Sequence, residues 1–257
     1  MPTYQTEAFV VHLYDYSETS KIVQFLTAQQ GKLSCIAKGL KRKNNPWVYA
    51  LDRLNRVEIF YTWKSTREVQ TLTDVNLIDS YPELKKDIQK QVLASLILET
   101  AFSMTETEQV AFQTYNQVQE ALSQLNNADI DNDMAVFLTC WHLWRILAYN
   151  GIEPQLQICI HCGKAVQHAN RFSWKGGVVC QNCPSDRILE MKEIECLQTL
   201  KNLSDPLSVP VSQVKSIYNT RVLPLLCTFI IYNVGHPLKS YNVFCEIINP
   251  NQKGIEQ

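Results

Sequence analysis

The chain has 257 residues, 46% of them hydrophobic and 19% charged, with 24 Lys and Arg against 25 Asp and Glu for a formal net charge of −1. This composition excludes a chain that is disordered as a whole, and a length beyond the usual domain mode of about 100 to 150 residues favours two or three packed units. The start, MPTYQTEAFVVH, has neither the basic nor the apolar region of an export signal, so a cytoplasmic protein is expected, and its nine cysteines favour thiols and metal ligands over a disulfide framework.

The first 80 residues predict strands. EAFVVHL, RVEIFYTW and EVQTLTDVNLI alternate with period two, placing Val57, Ile59, Tyr61 and Trp63 on one face and Val69, Thr71, Thr73, Val75 and Leu77 on another. Between them lie SKIVQFLT and KLSCIAKGL, separated by the turn residues Gln29, Gln30 and Gly31. Five short strands without helical crossovers suit a small barrel. The OB-fold is the commonest such solution for a nucleic-acid binder, and an SH3-like barrel is the alternative.

Within this part the charge is uneven. From Thr19 to Leu51 there are six basic residues, Lys21, Lys32, Lys38, Lys41, Arg42 and Lys43, and no acid. KGLKRKNNPWVY, Lys38 to Tyr49, has the composition of an exposed loop, and cations along a groove bind phosphates through counterion release. Trp47, Tyr49, Tyr61 and Trp63 are candidates for stacking on bases. A solvated basic surface and core aromatics are the plainer alternatives.

Pro82 changes the period. Leu84, Ile88, Val92 and Leu96 recur at i+4, and Ala111, Tyr115, Val118, Leu122 and Leu125 step by four and three, predicting two amphipathic helices. A third spans about Asp131 to Tyr149, and others run from Leu189 to Leu203 and from Val211 to Val234. The apolar runs Met134–Trp144 and Leu225–Val234 fall short of the roughly 20 residues needed to cross a bilayer, so no membrane partner is expected. DIDND, Asp129 to Asp133, resembles a calcium loop only faintly, because Met134 replaces the required glycine and Cys140 the final Glu.

CIHCGKAVQHANRFSWKGGVVCQNC, Cys159 to Cys183, sets two Cys-x-x-Cys pairs 17 residues apart, the spacing of a four-cysteine zinc site. Cys159, Cys162, Cys180 and Cys183 are the expected ligands of one structural Zn2+. Four thiolates close the coordination sphere, which argues against catalysis by the metal. Phe172 and Trp174, with Gly176-Gly177 as the turn, would form a hairpin between the loops; His161 and His168 are alternative ligands. Cys35, Cys140, Cys196, Cys227 and Cys245 lie in apolar contexts and are expected in the core. No P-loop, His-Glu-x-x-His, Gly-x-Ser-x-Gly or dinucleotide-binding fingerprint occurs, so no enzyme is expected.

Several anchors in order, YSETSKIVQFLTAQQGKLSCIAKGLKRK, WHLWRILAYNGIEPQLQICIHCG, FSWKGGVVC and NVGHPLKSYNVF, resemble the bacterial RecO family of DNA repair proteins over nearly the whole chain. The resemblance implies an α+β protein: an N-terminal five-stranded OB-fold barrel, then an α-helical bundle with an inserted four-cysteine zinc-binding lobe. The expected division is 1–80 nucleic-acid-binding barrel, 81–158 and 186–257 helical domain, and 159–185 zinc lobe. It further implies a recombination mediator that binds single- and double-stranded DNA and anneals complementary strands. Its partners would be RecR, the C-terminal tail of the single-strand binding protein SSB and, indirectly, RecA, in a cytoplasmic, nucleoid-associated setting. An RNA-binding or transcription-associated barrel with a zinc ribbon, or a protein-docking scaffold, are the alternatives.

Overall fold

A computed structural model of the chain describes residues 3–166, 170–210, 213–214 and 217–247. Five strands, β1 (Thr3–Asp15), β2 (Lys21–Thr27), β3 (Gly31–Ala37), β4 (Arg56–Thr62) and β5 (Val69–Asp79), close into a barrel in the order β1-β2-β3-β5-β4. All neighbours are antiparallel except β3 and β5, which run parallel from Ser34↔Val69 to Ile36↔Thr71. That order is the OB topology.

Period two fills the interior: Ala8, Val10, Val23, Phe25, Leu33, Cys35, Val57, Ile59, Tyr61 and Leu72 form one buried cluster. Three register shifts interrupt simple alternation, one of them near the end of β5, where Ile78 is skipped between Leu77↔Val57 and Asp79↔Arg56. In β1 the pairing passes from Val10↔Phe25 to His12↔Gln24, skipping Val11, and in β5 it passes from Asp74↔Phe60 to Leu72↔Tyr61, skipping Thr73. Gln70 and Leu72 therefore point inward with Val75, while Thr73 is exposed, because a bulge inserts one residue and exchanges the faces beyond it; Leu77 is exposed beside the separate shift at Ile78.

Helices follow in the order α1 (Pro82–Lys86), α2 (Ile88–Met104), α3 (Phe112–Leu125), α4 (Asn132–Tyr149), α5 (Met191–Asn202), α6 (Leu223–Val234) and α7 (Lys239–Ile247). The single helix expected through Leu84 and Ile88 is broken. Asp87 accepts from the backbone N–H groups of Gln89 (2.8 Å) and Lys90 (3.1 Å), starting α2 afresh and leaving Ile88 exposed. Asp131, part of the faint calcium-like pattern, caps α4 through Met134 N at 2.8 Å. The predicted Val211–Val234 helix falls partly outside the described residues; those described include a π-helical turn at Tyr218–Val222, which leads into α6.

The chain clusters into two compact units, one holding residues 1–86 and 101–126, the other residues 87–100 and 127–257. In the first, Tyr115 of α3 packs on Phe9 of β1, ring centroids 4.9 Å apart. In the second, α4 is buried nearly all round, and the Trp141 indole donates to Leu203 O at 3.0 Å. Three short strands, β6 (Arg171–Ser173), β7 (Gly177–Val179) and β8 (Arg187–Ile188), make the sheet β7-β6-β8. Among the described residues no helix is long and apolar enough to cross a membrane.

Candidate metal centre and nucleic-acid interface

The two cysteine pairs converge. The sulfurs of Cys159, Cys162, Cys180 and Cys183 all lie within 4.8 Å of one another, and Cys162 Sγ is 3.6 Å from Cys180 Sγ. A zinc ion at about 2.3 Å from each sulfur would place tetrahedral sulfurs about 3.8 Å apart, so the donor set fits one ion held by four thiolates. The first loop is made by Gly163, whose φ of 72° lets its N–H reach Cys159 O (2.9 Å) while Cys159 N donates to Lys164 O (2.8 Å). His161 is exposed and not part of the cluster, and His168 lies outside the described residues.

Burial raises the Cys159 thiol, but hydrogen bonds from the backbone at Cys180, Cys162 and His161 bring it down to about 6. Cys183 is pushed up to about 12, first by its hydrogen bond with Cys180 and then by burial. The cluster thus favours one thiolate and retains protons on a neighbour, protons that a cation would displace.

The expected hairpin is β6–β7, with Phe172↔Val178 and Ser173↔Gly177 paired. Asp186 accepts from Ser173 Oγ (2.7 Å) and Trp174 N (2.9 Å), and Arg171 Nη2 donates to Cys183 O (3.2 Å), which ties the second cysteine loop to the hairpin. Phe172 is fully buried against Phe229 of α6, centroids 5.9 Å apart, so the lobe is anchored in the helical core. At Gly177, φ 130°, an added Cβ would lie 2.2 Å from Gln155 O. Cys35, Cys140, Cys196, Cys227 and Cys245 are all buried.

Five of the six singled-out cations gather at one end of the barrel. Lys21 opens β2, while Lys38, Lys41, Arg42 and Lys43 follow β3, whose last residue, Ala37, pairs with Lys21. Hydrogen bonds join this basic loop to the β1–β2 turn: Lys41 N donates to Thr19 O (2.9 Å), Lys41 Nζ to Ser17 O (3.0 Å) and Gly39 N to Ser20 Oγ (3.4 Å). Asn45 Nδ2 closes the loop on Gly39 O (3.1 Å), and the fully buried Asn55 donates to the carbonyls of Tyr49 (2.9 Å) and Ala50 (3.1 Å). The loop is therefore held in shape by its own polar network. Lys32, at the opposite end of β3, does not join it: its ammonium reaches Ser103 O at 3.4 Å and sits 5.2 Å from the Phe102 ring centroid.

An acid absent from the sequence window is present in space. Asp15 Oδ1 lies 3.3 Å from Lys21 Nζ and Oδ2 3.0 Å from Lys41 Nζ, and these partners, Lys41 first, hold the Asp15 carboxyl below its usual range. Lys38, Arg42 and Lys43 are exposed.

The aromatics divide differently from expectation. Tyr61 is core, 1% exposed, and Trp47 and Trp63 pack partly buried against the same cluster; Tyr49 is exposed. Tyr14, near the end of β1, and Tyr16, on the β1–β2 turn, are exposed beside the basic loop and stand outside the set expected from the sequence. Their signal is the alternation His12, Tyr14, Tyr16 on the face of β1 opposite Leu13.

The family description "Recombination protein O N terminal" matches residues 1–81, and "Recombination protein O C terminal" matches residues 85–242. Among curated proteins, the DNA repair protein RecO of Syntrophus aciditrophicus is 24% identical over 95% of this chain and 96% of its own length. That of Desulfatibacillum aliphaticivorans is 29% identical over 71% of this chain and 72% of its own. That of a Thermoanaerobacter strain is 30% identical over 70% of each.

Proposed function

This chain belongs to the recombination protein O family, and from that premise we propose that it is a DNA-binding recombination mediator in DNA repair. In this reading it binds single- and double-stranded DNA, anneals complementary strands and, with RecR, helps load RecA onto strands coated by SSB, whose C-terminal tail docks on apolar side chains of the helical unit. None of these steps needs a catalytic centre.

The observation that supports it is the basic end of the barrel. Lys38, Lys41, Arg42 and Lys43 sit on a loop fixed by hydrogen bonds, next to Lys21 at the start of β2, so their charge is displayed on one ordered surface that can follow a phosphate chain. Lys32 is left out because its ammonium is engaged elsewhere. Residues 1–80 are then the nucleic-acid-binding domain, 81–158 and 186–257 the helical domain, and 159–185 a lobe in which Cys159, Cys162, Cys180 and Cys183 hold one zinc. Bound there, the ion would cross-link the two loops and leave no open position for a reacting group.

The test is replacement of Lys41, Arg42 and Lys43 by Glu, with DNA affinity measured across a salt series. The log–log salt slope should fall by about 0.7 for each phosphate of a single strand that is no longer neutralised; an unchanged slope counts against the reading. Competition between single-stranded DNA and RNA of one sequence separates it from an RNA-binding role.

A further inference from the structure

We propose that the outer face of β1, β2 and β3 beside the basic loop stacks unpaired bases on Tyr14 and Tyr16, so that this end of the barrel selects single strands over duplex. The inference rests on reading the basic loop as a phosphate-binding surface.

Tyr14 is 45% and Tyr16 61% exposed, large rings left in water at the tip of a hairpin. Across the sheet Tyr14 pairs with Ile22, and Ile22 pairs with Ile36, so one outward row of three apolar side chains crosses three strands. The next row is polar, His12, Gln24 and Ser34, with the His12 ring 5.9 Å from that of Tyr14. Tyr16 extends the platform onto a turn fixed by Tyr16 N to Ser20 O (3.1 Å) and Ser20 N to Ser17 Oγ (3.2 Å). Lys41 bonds that same turn through Ser17 O. Rings and ammonium groups therefore share one small surface, at fixed positions.

The charge selects the occupant. An apolar row on an uncharged surface would suit a protein, but a row bordered by Lys21, Lys38, Lys41 and Arg42 suits a chain carrying both phosphates and flat apolar faces. Only a single strand offers both at once, since duplex bases are already stacked on each other and hidden behind two backbones. Stacking is sequence-tolerant, because every base has a π-face, and is worth roughly five- to a hundredfold in affinity per base. It involves no counterion release, so it should leave the salt slope untouched.

The experiment measures binding of labelled oligothymidylate and of a duplex of equal length to the full chain, its Tyr14→Ala/Tyr16→Ala variant, its Tyr14→Phe/Tyr16→Phe variant and the Lys41, Arg42, Lys43 reversal. The Ala pair should weaken single-strand binding about tenfold or more at unchanged salt slope and leave duplex binding within about twofold, while the Phe pair retains both. Equal losses on both ligands, or no loss on the single strand, overturn the proposal. If the charge reversal weakens binding and the Ala pair does not, the stacking inference alone fails; if the reversal changes nothing, both readings fall.

Discussion

The carboxylate of Asp15 lies 3.0 Å from the ammonium of Lys41, a pairing between two residues that flank the β1–β2 turn and the basic loop. Asp15 also meets Lys21 at 3.3 Å, so it lies between two cations and would compete with a phosphate for them. Both pairs are solvent-exposed on the acid's side, where such contacts contribute little to stability. Asp15→Asn should therefore leave the fold intact and tighten DNA binding by about two- to fivefold at low salt, with the gain fading as the Debye length shrinks. A fluorescence anisotropy titration at two salt concentrations checks this, and weaker binding by the variant would mean that Asp15 instead orients the lysines.

Metal content follows from the sulfur geometry. Protein prepared without chelator should carry one zinc per chain by elemental analysis, and Cys159→Ser/Cys162→Ser should lose it. The double variant should also melt at lower temperature, because Phe172 joins the lobe to α6. A full complement of zinc in that variant would contradict the assignment.

His142 sets an acid limit on the helical unit. It is fully buried in α4, and burial holds its imidazole down to about 3, against about 6.5 when unfolded. Between these values the unfolded chain binds a proton that the folded one does not, so stability rises with pH and is lost on acidification below about 6.5. The slope from this group is up to about 1.4 kcal/mol per pH unit. His142→Gln should flatten denaturant-measured stability between pH 6 and pH 4.5 by up to that amount per unit relative to the wild-type chain.

Two glycines with positive φ should respond differently to alanine. At Gly151, φ 72°, an added Cβ meets nothing within 4 Å, so Gly151→Ala costs only left-handed strain, about 1 to 2 kcal/mol. At Gly177 the Cβ would collide with Gln155 backbone, and Gly177→Ala should exceed that cost and lower zinc occupancy. Thermal melts and metal content of the two variants make the comparison.

Much of this was legible in the sequence, where local rules and tertiary outcome agree. Alternation placed the five strands, and Cys-x-x-Cys spacing named a quartet whose sulfurs do converge. Alternation could not foresee the bulges at Val11 and Thr73, since a bulge depends on the partner strand's register. Nor could an acid-free stretch reveal Asp15 or the withdrawal of Lys32 to Phe102, because both depend on segments brought near by folding. Helix α7 escaped notice for a similar reason. Its first N–H groups, those of Lys239 and Ser240, are satisfied by Glu99 at 2.9 and 2.8 Å rather than by a neighbouring cap.

That last contact joins positions 140 and 141 residues apart. In a nascent chain α7 can dock only on a carboxylate made long before it, and trimming the chain ahead of Lys239 would leave the buried Glu99 carboxylate without those two donors. Proteolytic nicking near the C-terminus should accordingly loosen α2 itself, far upstream of the cut.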